Sequence, residues 1–162
     1  MGARDAGVLV IGVGNPNRGD DAAGLVAARL ARARLAGTAG VSVLECDGDP
    51  ARLIDRWAGA HAVIVVDAVR SGAERGRLHC LNAAARVLPT NIRPASSHAF
   101  GVAEAIELAR ALGCLPPRLV VYGIEAGSCA LGSAPSPEVA AAAATAARRI
   151  VRAARRYART AA

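Results

Sequence analysis

Three side chains of this chain have the chemistry and the positions to hold a divalent metal. Asp21 lies between the apolar run 8–11 and an amphipathic stretch, Asp67 ends the apolar run 63–66, and His98 follows two serines before another amphipathic stretch. In α/β proteins, ligands bind near the carboxyl ends of parallel strands. Two carboxylates and one imidazole suit a divalent transition metal and leave coordination positions open. The spacing therefore predicts a metal-dependent site.

Each of these residues also has a structural explanation. Asp20 is well placed as the N-cap of the following helix, and an acid at position 21 favours the helix dipole. A carboxylate such as Asp67, which follows a buried strand, needs a partner or a ligand. The imidazole of His98 can also form structural hydrogen bonds. We expect Asp20 to be a cap and keep Asp21, Asp67 and His98 as the candidate site.

The elements that must position these residues alternate between strand and helix patterns, which predicts a layered α/β fold. The expected architecture is a three-layer α/β/α sandwich with a twisted sheet of about five strands, mostly parallel, and one antiparallel edge strand. The predicted strands cover 8–13, 41–46, 62–69, 77–81 and 119–124. The predicted helices cover 21–34, 50–57, 98–112 and a final helix that begins with Pro at 137. Residues 83–97 are expected to form a surface loop that leads to His98.

Length and composition favour a single domain over residues 1–162. The mean hydropathy of +0.30 is high, but alanine-rich helices account for it, and no apolar run approaches the roughly 20 residues that span a bilayer. The first residues carry both charge signs and lack the apolar core of a signal peptide. We therefore expect a cytoplasmic protein that does not act at a membrane.

All 20 basic residues are arginines, and the formal net charge is +7. Many of the arginines lie within 148–159, opposite an apolar stripe of the same predicted helix. This pattern is typical of a solvated face; a docking surface for an acidic partner is the main alternative. An aromatic content of 2% argues against nucleic-acid binding, because few rings are available to stack on bases.

The remaining cysteines and histidines show no metal-site spacing. The four cysteines form no C-x-x-C pair, so we expect reduced and mostly buried thiols. His61 precedes a strand and His79 lies in the edge strand, and both are expected to be structural or exposed.

The sequence does not match several familiar enzyme motifs. Gly12 and Gly14 superficially suggest dinucleotide binding, but Asn17 stands where the third glycine of that fingerprint belongs. An H-E-x-x-H zinc helix is absent, and no Ser-His-Asp motif is evident in the sequence.

Several segments, in order along nearly the whole chain, resemble the hydrogenase maturation proteases. They are residues 10–15 with Asp20, Asp21 and Gly24, the strand end 65–69, Ser97 and His98 with Gly101, residues 121–125, and residues 136–139. The resemblance implies a mostly parallel sheet between helices. It also implies an endopeptidase that removes a C-terminal extension from the large-subunit precursor of a nickel-iron hydrogenase after nickel insertion.

The resemblance also implies roles for the candidate residues. The two acids and the histidine that engage the metal in that family correspond to Asp21, Asp67 and His98, and the nickel is expected to arrive with the substrate. These groups would hold the adjacent peptide bond in place, with either a carboxylate or a metal-bound water as base or nucleophile. The chain departs from the family pattern at Ala22 and at residues 47–50, where many members have a Gly-Gly-Thr type segment. The second departure bears on substrate specificity, because this loop is expected to face the crevice.

Two other functions remain open from the sequence. A non-catalytic chaperone that binds the nickel-containing subunit would keep the same three residues, and only turnover separates it from a peptidase. A nucleotide-binding regulator that uses the loop at residues 12–14 would be stabilised by nucleotide and indifferent to nickel.

Overall fold

The fold is a six-stranded sheet with helices on both faces. The computed structural model describes residues 7–95 and 101–161. The strands are β1 Val8–Val13, β2 Val41–Cys46, β3 Ala62–Arg70, β4 Leu78–Asn82, β5 Arg93–Pro94 and β6 Arg118–Glu125. The helices are α1 Ala23–Leu35, α2 Pro50–Trp57, α3 Val102–Ala111 and α4 Pro137–Ala161, and a 3-10 turn at Gly19–Ala22 precedes α1.

The strand order is β2-β1-β3-β6-β4, and the short β5 pairs with β3. The β1–β2, β1–β3 and β3–β6 pairs are parallel, whereas β4 runs antiparallel to β6 at the edge. The predicted mostly parallel sheet with one antiparallel edge is therefore confirmed. Residues 93–94 depart from the predicted loop, because they pair with the end of β3 and Ala95 N–H donates to the Ala68 carbonyl at 3.2 Å. This pairing depends on a strand distant in sequence, which the local pattern of residues 83–97 does not reveal.

Alternate residues of the central strands supply two separate cores, as expected for a sheet buried on both faces. One face packs against α1 and α4, and its buried residues include Val10, Ile64, Ala27 and Ile150. The other face packs against α2 and α3, and its buried residues include Ile11, Val65, Trp57 and Ile106. This arrangement confirms the three predicted layers.

Helix α1 lies very close to the sheet because glycines stand at the contact. A Cβ on Gly12 would clash with Ala28, and a Cβ on Gly24 would clash with the carbonyl oxygens of Val13 and Val66. The close approach fixes the start of α1 against the ends of β1 and β3. The 3-10 turn that carries Asp21 is positioned by the same contact.

Two predicted helix starts are wrong. Helix α1 begins at Ala23, not at Asp21, and its N-cap is Ala22, which makes no side-chain capping bond. Asp20 is therefore not a helix cap; its carboxylate is engaged elsewhere, as described below. Helix α3 begins at Val102 because Gly101 has extended backbone, and Glu104 Oε2 accepts from Gly101 N–H at 2.7 Å.

The surface of α4 agrees with the predicted pattern. The arginines between Arg148 and Arg159 are exposed, and the opposite stripe, including Val139 and Ile150, is buried. None of the helices within residues 7–95 and 101–161 is long and apolar enough to cross a membrane.

All four cysteines are free, but the prediction that they are mostly buried is wrong. Cys80 and Cys114 are exposed and Cys46 and Cys129 are half-buried. Cys80 lies on the edge strand β4, and Cys114 lies just beyond the end of α3, so neither is enclosed between two layers.

Candidate functional site

The carboxyl ends of β1 and β3 form the natural ligand crevice of this fold. Strand β1 has β2 on one side and β3 on the other, while α1 and α2 pack on opposite faces of the sheet. Such a point, where the connections diverge, is where open α/β sheets bind ligands. Gly12 pairs with Val66, so the end of β1 is level with Asp67. Asp21 reaches the same end of the sheet from the 3-10 turn, and the two predicted carboxylates are therefore brought together.

Asp67 is a buried carboxylate, with only 7% of its surface exposed. Its Oδ1 accepts a hydrogen bond from Ala68 N–H at 2.8 Å. Burial raises the pKa of Asp67 to about 8, the charge of Asp21 acts in the same direction, and the Ala68 N–H offsets part of the effect. Asp67 therefore retains its proton near neutral pH when no cation is bound.

Asp21 is equally buried but has different neighbours. Burial raises the pKa of Asp21, whereas the positive charge of Arg18, a hydrogen bond from the Asn15 backbone and the charge of Arg70 lower it. Burial has the larger effect, so the pKa of Asp21 stands above its usual value, although these neighbours oppose the shift. Buried carboxylates with raised pKa values are typical of acid–base or ligand sites.

Arg18 stands immediately before the 3-10 turn, close enough for its charge to act on Asp21. Its Nε is buried and makes no hydrogen bond to any residue within the described ranges. Arg70 is held by a bond from its Nη2 to the Gly127 carbonyl at 2.9 Å. Neither arginine stands out in the sequence, because the contacts that place them beside Asp21 depend on the fold.

Asp20 holds the loop after β6 against the turn that carries Asp21. Its carboxylate accepts from Gly127 N–H at 2.8 Å and from Ser136 N–H at 2.6 Å. Asp20 N–H in turn donates to the Ser128 carbonyl at 3.0 Å. Asp20 is only 1% exposed, so these bonds satisfy a carboxylate that would otherwise be buried without partners. Two consecutive acids therefore have different structural roles.

A fourth buried carboxylate among the described residues, Glu125, lies at the end of β6. It accepts from Ser71 N–H at 2.7 Å and from Ser71 Oγ at 2.8 Å, and His79 Nε2 lies 3.0 Å from its Oε2. Burial raises the pKa of Glu125, but the bonds from Ser71 and His79 outweigh it and leave the pKa below its usual value. The cluster joins the ends of β3, β4 and β6.

The Ser71, His79 and Glu125 cluster does not form a nucleophilic triad. A triad needs the serine on one imidazole nitrogen and the acid on the other. Here the Ser71 hydroxyl donates to the carboxylate, and the same His79 nitrogen faces both groups, 3.5 Å from Ser71 Oγ. Sequence reasoning did not select Glu125 as a site residue, although it ends an apolar strand just as Asp67 does.

The third predicted residue, His98, lies outside the described residues. Within residues 7–95 and 101–161, no group of three or more His, Cys, Asp or Glu side chains is placed to hold a metal ion. Of the three predicted donors, the described part of the chain contains two, Asp21 and Asp67. Two neighbouring buried carboxylates repel each other, and a divalent cation relieves that repulsion. The donor set therefore fits a cation that brings further ligands of its own.

The loop between β2 and α2 borders the same end of the sheet. Asp47 lines an open crevice of about 300 Å³ together with Gly14, Pro16 and Arg52. Asp47 is paired with Arg52 at 2.9 Å, and Asp49 caps α2 by accepting from Arg52 N–H at 2.9 Å. The loop thus lies beside Gly14 and Pro16, in the segment that leads to Asp21, and its role in substrate specificity stays a prediction.

The fold and the site together define an α/β/α protein with a pair of buried carboxylates at the carboxyl ends of its central strands. Comparison with known proteins gives the family. The model for "Hydrogenase maturation protease" matches residues 25–153. The chain belongs to the hydrogenase maturation protease family.

Individual relatives agree with this assignment. The hydrogenase expression/formation protein HupD of Bradyrhizobium diazoefficiens is 30% identical over 123 residues, which are 76% of this chain and 64% of that protein. The matched region is thus somewhat under two thirds of that relative's length.

Solved structures extend the likeness over most of the chain. The [NiFe] hydrogenase maturation protease HybD from Thermococcus kodakarensis has a TM-score of 0.73 and 28% identity, covering 91% of this chain and 98% of that one. The hydrogenase maturating endopeptidase HybD from E. coli has a TM-score of 0.69 and 25% identity, covering 92% of each chain.

Proposed function

We propose that this protein is an endopeptidase that removes the C-terminal extension of a nickel-iron hydrogenase large-subunit precursor after nickel has been inserted. Membership of the hydrogenase maturation protease family supports the reaction class. The observation that carries the proposal is the pair of buried carboxylates, Asp21 and Asp67, at the ligand-binding end of the sheet. Cytoplasmic location, without nucleic acid or membrane as a partner, is part of the same proposal.

In this proposal the nickel is part of the substrate. Asp21, Asp67 and His98 engage it and thereby hold the adjacent peptide bond in a fixed position in the crevice. A ligand carboxylate must be ionised, so Asp67 releases to solvent the proton that burial leaves on it when the nickel-loaded precursor binds. The precursor without nickel offers the two carboxyl groups no cation and is expected to bind weakly.

The charges around Asp21 bear on its proposed role in engaging the nickel. Arg18 and Arg70 favour its ionised form and so oppose the effect of burial, which leaves the pKa of Asp21 above its usual value. Asp20 keeps the turn in place through the loop after β6 but does not itself act on the substrate.

The experiment is an intact-mass assay. The precursor of a cognate hydrogenase large subunit, either nickel-loaded or nickel-free, is incubated with this protein, and the masses of the products are measured. We expect a C-terminal peptide to be released from the loaded precursor alone. A protein that binds the loaded precursor without cleaving it would be the non-catalytic chaperone, and equal cleavage of both precursors would overturn the role of the metal.

A further inference from the structure

A small pocket opens beside Asp67 on the face of the sheet that packs against α2 and α3. It has a volume of about 30 Å³, and its walls include Asp67, Val69, Val121, Gly123, Ile92 and Ala103. A single water needs about 10–15 Å³ by the same measure, so the pocket holds roughly two groups of that size. This is the size of a short aliphatic side chain.

The sheet itself creates the space. Asp67 pairs with Gly123 across β3 and β6, and paired residues of adjacent strands point to the same face. A Cβ on Gly123 would lie 3.0 Å from Val69 Cγ2, a tight approach, so the glycine leaves room at this point. The other side of the pocket is formed by the segment at Ile92 and by the first turn of α3 at Ala103.

The walls determine what can enter. Apart from the Asp67 carboxyl group and Arg93, the lining side chains are aliphatic. A charged or amide side chain would lose its hydration there with few partners in return, whereas an aliphatic side chain loses nothing. The small volume favours a short side chain over a large ring.

We infer that this pocket is a specificity subsite that receives one short aliphatic side chain of the polypeptide substrate next to the bond to be cleaved. The inference rests on the proposed function, since it takes Asp67 as a group that acts at that bond. Its location explains the residue type: a side chain seated between Val69, Val121 and Ala103 brings its own main chain past the Asp67 carboxyl group.

Substitutions at Ala103 and Ile92 should change the size of the pocket in opposite directions. Ala103 is half-buried in the first turn of α3, so Ala103→Leu fills the pocket with a residue that favours helix. Ile92→Ala enlarges the pocket from the other wall. Ala111→Leu is the matched control, because Ala111 is exposed at the far end of the same helix.

The test measures kcat/KM for nickel-loaded precursors in which each residue flanking the cleaved bond is replaced in turn by Gly, Ala, Val, Phe or Asp. For one flanking position we expect the unaltered protein and Ala111→Leu to prefer Ala and Val over Phe and Asp by on the order of 10-fold or more. Ala103→Leu should shift the preference towards Gly and Ala, and Ile92→Ala should admit Phe.

The outcomes separate the two proposals. Cleavage with the same side-chain profile in all four proteins overturns the subsite and leaves the proposed function standing. A complete lack of cleavage by the unaltered protein overturns both. If circular dichroism shows that Ala103→Leu is unfolded, the Ile92→Ala variant provides the test. A wider range of accepted side chains in Ile92→Ala supports the subsite, and an unchanged range overturns it.

Discussion

Asp21 and Asp67 come from different elements, yet the charge of Asp21 raises the pKa of Asp67 across the carboxyl end of the sheet. Burial raises the pKa of both carboxyl groups. Folding therefore places two carboxylates where neither is favourably ionised, at a cost in stability. Such a cost is common where a site is shaped for a ligand that the free protein lacks.

Replacing Asp67 with Asn should stabilise the protein at alkaline pH. Because the pKa of Asp67 is about 8 in the folded state, against an ordinary aspartate value of 3.8, the native state binds more protons between these values. The free energy of unfolding therefore falls as pH rises through this range. Asp67→Asn does not titrate, so its advantage should grow from pH 5 to pH 9 and reach at least about 1 kcal/mol, or about 2–4 °C in Tm.

The measurement is thermal unfolding at several pH values, with Asp55→Asn as control because Asp55 is exposed on α2. The control should show the pH dependence of the unaltered protein. A constant difference in Tm between Asp67→Asn and the unaltered protein from pH 5 to pH 9 contradicts the raised pKa.

The neighbouring acids Asp20 and Asp21 should respond in opposite ways. Asp20→Ala leaves the N–H groups of Gly127 and Ser136 without their acceptor, and should lower the free energy of unfolding by about 2–4 kcal/mol. Asp21→Ala removes a carboxylate that burial disfavours, so stability at pH 8 should be retained while cleavage is lost. Urea unfolding and the intact-mass assay measure the two effects, and a stable but inactive Asp20→Ala would reverse the assignment.

Glu125 should stabilise the fold above acidic pH. Its pKa lies below the ordinary value of 4.5, so its contribution is present above that pH and disappears as pH falls through the folded-state pKa. Glu125→Gln weakens charge-assisted bonds from Ser71 and His79, and should cost about 1–3 kcal/mol at pH 7 and less at pH 3. Urea unfolding at the two pH values tests this, with the exposed Glu74→Gln as control; an equal cost at both would contradict it.

Arg18 should set the ionisation of Asp21. Its positive charge lowers the pKa of Asp21, so Arg18→Gln should raise that pKa further, and Arg18→Lys should restore part of the effect. The carboxyl carbon resonance of Asp21, followed by NMR against pH, reports the change directly. Arg52→Gln, on the exposed side of α2, is the matched control, and an unmoved Asp21 titration in Arg18→Gln would exclude the interaction.

The strands were predictable because their apolar runs are continuous and end at polar residues. The bounds predicted for β1 and β2 agree with the structure, and β3 extends one residue further, to Arg70. The start of α1 was not predictable from local pattern: Asp20 has the residue type of a cap, but its hydrogen bonds go to Gly127 and Ser136, which lie distant in sequence. Long-range partners of this kind override local capping preference.

The residues of the candidate site were likewise predictable only in part. Asp67 could be recognised because an acid that ends an apolar strand needs compensation once buried, and the structure finds it buried beside Asp21. Arg18, Arg70 and the pocket next to Gly123 could not be recognised, because each depends on contacts made only after the sheet is assembled. The contribution of His98 stays a prediction.

The most direct measurement compares carboxylate variants in the cleavage of a nickel-loaded large-subunit precursor, followed by intact mass. The unaltered protein and the Asp55→Asn control should release the C-terminal peptide at the same rate. Asp21→Asn and Asp67→Asn, which keep the size of each side chain but lose its charge, should be slower by at least about 100-fold. Cleavage by both variants at the rate of the unaltered protein would contradict the central claim that these two carboxylates act on the substrate.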